Sequence, residues 1–123
     1  MVFFTYALQE KIKSISNLVN EVEEAVSRRS ESQRTGFVQF PSISQGNLVL
    51  KMSSLLHPDA VVIELGCGIG SFTSMSAAAG FTSYGIDCNP YLIEVARHLH
   101  TTCIERGYLD KEVECNFATG NFH

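Results

Sequence analysis

The residues with the most chemical content lie in one stretch, VVIELGCGIGSFTS, from Val61 to Ser74. An apolar run ends at the carboxylate Glu64, and Gly66, Gly68 and Gly70 follow at alternate positions. Glycines so spaced let a backbone turn sharply and approach a ligand with no Cβ in the way. A helix starting near Ser71 would aim free N–H groups and a partial positive charge at that turn, which suits an anionic group. Asp87 stands 21 residues after Gly66, where a carboxylate can accept both hydroxyls of a ribose. The set describes a cradle for a cofactor that carries adenosine.

The spacing discriminates between cofactors. A dinucleotide fingerprint, G-x-G-x-x-G, needs its third glycine at position 71, which is Ser71. No Lys or Arg occurs between Lys51 and Arg97, so a pyrophosphate would find no side-chain counter-ion nearby. Glu64 would be a poor neighbour for phosphate and a good one for an ammonium, or for a water bonded to it. The E-x-G-x-G-x-G pattern of Glu64, Gly66, Gly68 and Gly70 resembles motif I of the class I methyltransferases, which use S-adenosyl-L-methionine. The similarity runs through VVIELGCGIGSFTSMSAAAGFTSYGIDCNPYLIEVARHL and covers roughly residues 46–122.

The resemblance implies S-adenosyl-L-methionine as cofactor, with Asp87 on the ribose. It also gives meaning to Gly120-Asn121-Phe122. The family often carries Gly-Asp and an apolar residue there, and the Asp commonly accepts from the adenine amino group. Asn121 can do the same through its carbonyl oxygen, and Phe122 would offer a backbone N–H and an apolar wall. Cys67 and Cys88 fall at the ends of neighbouring strands and are placed to line the pocket. The alternative, which we favour, makes them small buried residues tolerated in a tight site.

Catalytic residues cannot be assigned. Methyl transfer needs an acceptor held in line and a destination for its proton, and in this family those residues follow a fourth strand. The acceptor itself is underdetermined: FATGNF is similar to nucleosomal histone lysine methyltransferases, and AAGFTSYGIDCNPYLIEVAR to small protein-lysine methyltransferases. Both point toward a protein, although small-molecule methyltransferases share these motifs. Two other readings stay open. One is a nicotinamide-dependent Rossmann oxidoreductase. The other is a non-catalytic module that associates with itself through its N-terminal helix or an open strand edge.

Several elements must position these residues. Leu8, Ile12, Ile15, Val19, Val22 and Val26 form one stripe, predicting an amphipathic helix over 2–27 with Lys11, Lys13, Glu23 and Glu24 off the stripe. SRRSESQRTG, from Ser27 to Gly36, reads as a polar loop or linker. FVQFP is a short apolar stretch stopped by Pro41. A second helix should then run to about Leu56, with Leu48, Met52 and Leu55 on one face and Pro58 ending it. From Ala60 the order becomes β-α-β-α-β. AVVIEL reads as a strand buried on both faces, Ser71–Ala79 as a helix of small residues, and FTSYGID as a strand ending at Asp87. NPYLIEVARHLHTTCIER reads as a helix capped by Asn89, with Leu92, Ala96, Leu99 and Cys103 inward. The third strand is EVECNFA, with Val113, Cys115 and Phe117 on one side. The expected fold is α/β: a partial doubly wound, Rossmann-like parallel sheet of strand order 3-2-1, preceded by N-terminal helices. Residues 1–40 form the helix-and-linker unit and residues 41–123 the cofactor-binding half. A first strand with no fourth beside it would be an exposed apolar edge, and a fragment of a larger enzyme is the favoured explanation.

The bulk composition agrees. The 123 residues are 45% hydrophobic and 18% charged with a net charge of −4, which suits a globular domain and gives no strong nucleic-acid signal. Arg28, Arg29 and Arg34 form a small basic cluster best read as a solvated loop. Cys67, Cys88, Cys103 and Cys115 show no C-x-x-C spacing and His57, His98, His100 and His123 no ligand spacing, so no metal is expected. No run reaches membrane-spanning length and no leader pattern occurs, so an intracellular chain, cytoplasmic or nuclear, is expected.

Overall fold

A computed structural model describes residues 2–33 and 42–121, with side chains from 6–28 and 42–121. The elements, in chain order, are α1 (Val2–Gln33), α2 (Ser42–Leu55), β1 (Val61–Leu65), α3 (Ser71–Ala78), β2 (Thr82–Asp87), α4 (Pro90–Glu105) and β3 (Cys115–Thr119). The FVQFP stretch, Phe122 and His123 lie outside the described residues.

The α1 stripe is buried largely as its periodicity requires. Ile12, Ile15, Val19 and Val26 join the core together with Leu18, and Leu8 and Val22 pack against it. Two expectations for this helix are corrected. It continues through Gln33, seven residues into the segment read as a loop. Polarity alone does not stop a helix, and no Gly or Pro interrupts residues 27–33; Glu24 and Arg28 add an exposed i,i+4 pair at 3.6 Å. Glu23, read as off the stripe, is buried at 3% exposure.

α2 also departs from its expected face. Leu48 and Leu55 are exposed, and the helix instead buries Ser42, Gly46 and Val49. The reason is closeness of approach. A Cβ on Gly46 would stand 2.6 Å from Ile12 Cγ2, so the glycine lets α1 and α2 meet backbone to side chain. Ser42 then joins α1 by hydrogen bonds with Ser16 (2.6 Å) and to Asn20 (3.1 Å).

The sheet is parallel, in the order β1-β2-β3, with Val61 beside Thr82 and Ser83 beside Cys115 in register. This is the partial Rossmann-like arrangement expected. Each crossover helix follows a right-handed connection in the same direction, so α3 and α4 fall on one face, and α1 and α2 pack on that helical layer. Burial alternates accordingly. Val62, Ser83, Gly85, Cys115 and Phe117 are inside, whereas Val61, Ile63 and Leu65 are exposed at 56%, 60% and 64%. β1 is therefore buried on one face, not two, and no strand among the described residues pairs with its outer edge.

Asn89 caps α4 as its position suggests, its side chain accepting from the N–H groups of Tyr91 and Leu92, with Pro90 at the first turn. Leu92, Ile93, Ala96, Leu99 and Cys103 are all buried. β3 begins later than its alternation implies, at Cys115, and Val113 packs from the preceding loop. Phe117 is the centre of the arrangement: a Cβ on Gly85 would lie 2.8 Å from its ring and 2.9 Å from the Cys67 sulfur. Gly85→Ala is therefore expected to overpack the sheet centre and cost about 1–3 kcal/mol, read as a lower urea midpoint at unchanged slope.

Candidate functional site

The turn between β1 and α3 forms where the sequence placed it. Gly66, Gly68 and Gly70 have φ of 75°, 57° and 76°, a left-handed conformation that side-chain-bearing residues rarely adopt. The turn is tied to its neighbouring strand by the N–H groups of Gly66 and Cys67, both donating to the Ile86 carbonyl at 2.7 and 3.0 Å. Two of the glycines serve different ends. At Gly66 nothing stands within 4 Å of where a Cβ would be, so that side of the turn is open. At Gly70 a Cβ would collide with the Phe117 ring, so this glycine is required by the protein's own packing rather than by a ligand's approach.

Asp87 sits at the end of β2 and faces the turn. Its Oδ2 accepts the Gly68 N–H at 2.9 Å, and its Oδ1 accepts the Asn89 N–H at 2.9 Å. Its backbone carbonyl accepts the Gly120 N–H at 2.9 Å, which draws the end of β3 alongside. A carboxylate has about four acceptor sites, so capacity remains for two hydroxyls after these two bonds.

Glu64 projects from β1 to the start of α3. Gly70 stands at the N-cap with no side chain to offer, and the Glu64 carboxylate takes over that role. It accepts the Thr73 hydroxyl at 2.8 Å, and the nearby Thr73 backbone N–H also favours its charged form. One of the α3 donors expected to await an anionic ligand thus already acts on the chain's own carboxylate. Burial pushes the Glu64 carboxyl up to about 7, Thr73 opposes that rise, and the negative Asp87 adds to it. Ser71 is not free either: its hydroxyl donates to Gln45 of α2, so the helical pair braces the first residue of α3.

The remaining sequence-expected residues divide. Cys67 is buried at 7% exposure, packs in the core beside Gly85, and its thiol is pushed up to about 12, chiefly by burial with Glu64 and Asp87 adding to it. Its side chain belongs to the core rather than to the lining of the open turn. Cys88, favoured above as a small buried residue, is instead exposed beside Asp87, past the end of β2. Asn121 is exposed immediately after Gly120, close in chain to the Asp87 carbonyl bond. Phe122 falls outside the described residues. Thr73 and Gln45 were not singled out by their sequence positions. Thr73 lies nine residues from Glu64, across a strand, a turn and a helix start, and only the folded path joins them. Two grooves elsewhere, one of about 320 Å³ between α1 and α4 and one of about 600 Å³ between α1 and α2, include no residue of the turn. Among the described residues no group of three or more His, Cys, Asp or Glu side chains could hold a metal ion, and no helix is long and apolar enough to cross a membrane.

One solved structure similar to this chain is the Pyrococcus abyssi tRNA (uracil-54, C5)-methyltransferase in complex with S-adenosyl-L-homocysteine. It matches with a TM-score of 0.51 and 28% sequence identity, over 69% of this chain and 19% of that one. The chain thus spans about a fifth of that enzyme's length. No protein-family model and no curated protein matches it.

The two carboxylates give opposite expectations. Glu64 ionises less readily when folded than when unfolded, so its contribution to stability is full below about pH 4.5 and is lost as pH rises through about 7. Glu64→Gln cannot ionise. It should flatten that decline and leave the variant more stable than the parent above pH 7, by up to about 3 kcal/mol, as read from melting temperatures across the window. Asp87→Ala should instead destabilise the protein at neutral pH by about 2–3 kcal/mol, because two backbone donors lose a charged acceptor; denaturant unfolding without any ligand measures it.

Proposed function

We propose that this chain is the cofactor-binding half of an S-adenosyl-L-methionine-dependent methyltransferase. The observation that carries the reading is the open, left-handed glycine turn held between Glu64 and Asp87, in a fold similar to that of an enzyme crystallised with S-adenosyl-L-homocysteine. The donor set suits such a ligand. Asp87 keeps acceptor capacity for a ribose, Glu64 offers a carboxylate to an ammonium, and the open side at Gly66 leaves room for the chain between them. Asn121 is assigned to the adenine amino group and Phe122 to the ring's apolar wall. Cys88 lies at the rim.

S-adenosyl-L-methionine, when bound, supplies a methyl group on a positively charged sulfur. These residues would bind and orient it, which is the positioning share of catalysis. No general base for an acceptor is assigned among them. The similar enzyme acts on a tRNA uracil by its name, which lends no support to a protein acceptor, so the proposal concerns donor and reaction type. The nicotinamide reading is disfavoured by Ser71. That residue is buried and bonded to Gln45 where a dinucleotide motif has its closing glycine.

Calorimetric titration of the chain with S-adenosyl-L-homocysteine and, separately, with NAD tests the reading. Saturable binding of the first and none of the second is expected. Binding of NAD alone would reverse the assignment.

A further inference from the structure

We propose that Thr73 is a positioning residue for Glu64: its hydroxyl, 2.8 Å from Oε1, orients the carboxylate beside the glycine turn and favours its charged form, ready for a ligand's ammonium. The inference rests on the cofactor reading above and adds to it a residue that neither motif nor neighbour assigns.

The geometry is unusual for a buried helical threonine. Such a hydroxyl ordinarily returns to the carbonyl four residues back, as Ser76 does to Phe72 at 2.9 Å in this same helix. Thr73, with no exposed surface, reaches out of its helix to Glu64 Oε1 instead. It also stands at the third position of α3, where its N–H is one of the helix's unpaired donors and the partial positive charge is strongest. The hydroxyl bond and the N–H at the helix end therefore both favour the charged form of one acid.

The surroundings make that help necessary. Residues 61–96 contain no Lys, Arg or His. From β2 the facing charge is Asp87, which is negative and opposes ionisation of Glu64. From the turn it is the Cys67 thiol, which stays neutral because burial pushes it up. α3 carries no titratable side chain, and Gln45, which reaches the start of α3 from α2, is neutral. On β3 the Cys115 thiol is likewise pushed up to about 12 by burial. Thr73 is what favours the carboxylate against burial and Asp87.

The test has two readouts on the full chain: the Glu64 ionisation midpoint, followed by carbon-13 NMR of the carboxyl groups without ligand, and S-adenosyl-L-homocysteine affinity across the window around pH 7. Thr73→Val should raise the midpoint. If it rises by about one pH unit, affinity at pH 7 falls about fivefold, and the two proteins converge at higher pH. Thr73→Ser, which keeps the hydroxyl, should retain the parental midpoint. Thr73→Ala carries the same expectation as valine should the latter not fold. In a Glu64→Gln background the Thr73 change should add no pH dependence. An unmoved midpoint in Thr73→Val overturns the proposal, as does an affinity loss equal at every pH, which would make Thr73 merely structural. Failure of the parent to bind S-adenosyl-L-homocysteine would instead refute the cofactor reading, and the NMR midpoint would still decide the role of Thr73.

Discussion

The Asp87 carboxylate is the joint on which the carboxyl end of the sheet depends. One oxygen holds the middle of the glycine turn through Gly68, and the other holds the entry to α4 through Asn89. The same residue's carbonyl receives Gly120 at the end of β3. Three chain segments far apart in sequence are thereby fixed to one point. Hydrogen bonds to a charged acceptor are stronger than neutral ones, so the turn keeps its left-handed shape without needing a ligand to impose it. A cradle that is preformed spares a ligand the cost of ordering it.

Beneath that joint, packing sets the register. The Phe117 ring fills the space left by the missing Cβ atoms of Gly70 and Gly85, and it meets the His100 ring in an edge-type contact with ring centres 5.9 Å apart. Arg97 donates to the Phe117 carbonyl at 2.8 Å and ties α4 to the same residue. One aromatic side chain therefore locks β3, the centre of β2 and the start of α3 together. The opposite face has no such anchor. Val61, Ile63 and Leu65 stand exposed there because both crossovers place their helices on the other side. The N-terminal helices add to that covered side and leave the bare one unchanged.

What the sequence made legible follows from the range of each signal. The Asn89 cap, the order of strands and the glycine turn rest on local chemistry or on a handedness rule, and they appear where expected. The α1 stripe does too, because a periodicity of six apolar residues is hard to satisfy otherwise. The end of α1 is not legible, because a polar segment free of Gly and Pro carries no stop signal. Nor is the buried face of α2, because its apolar residues do not choose it. Gly46 does, by permitting close contact with Ile12, and glycine reads in sequence as a turn. Cys67 is the small buried residue favoured for it, between two residues of left-handed backbone.

Glu64 is where stability and binding pull against each other. As the cap of α3 it is useful in either protonation state, since a carboxyl oxygen accepts from Thr73 whether or not the acid is ionised. As a charge it is a burden: it is partly buried, faces Asp87, and has no cation among residues 61–96. A structural cap alone would be served as well by Gln, which fills the same space without the penalty. Something bearing positive charge at this position would offset that penalty. A ligand ammonium would turn the unfavourable term into a charge-assisted bond, and the free energy withheld from the empty fold would reappear as affinity for that ligand.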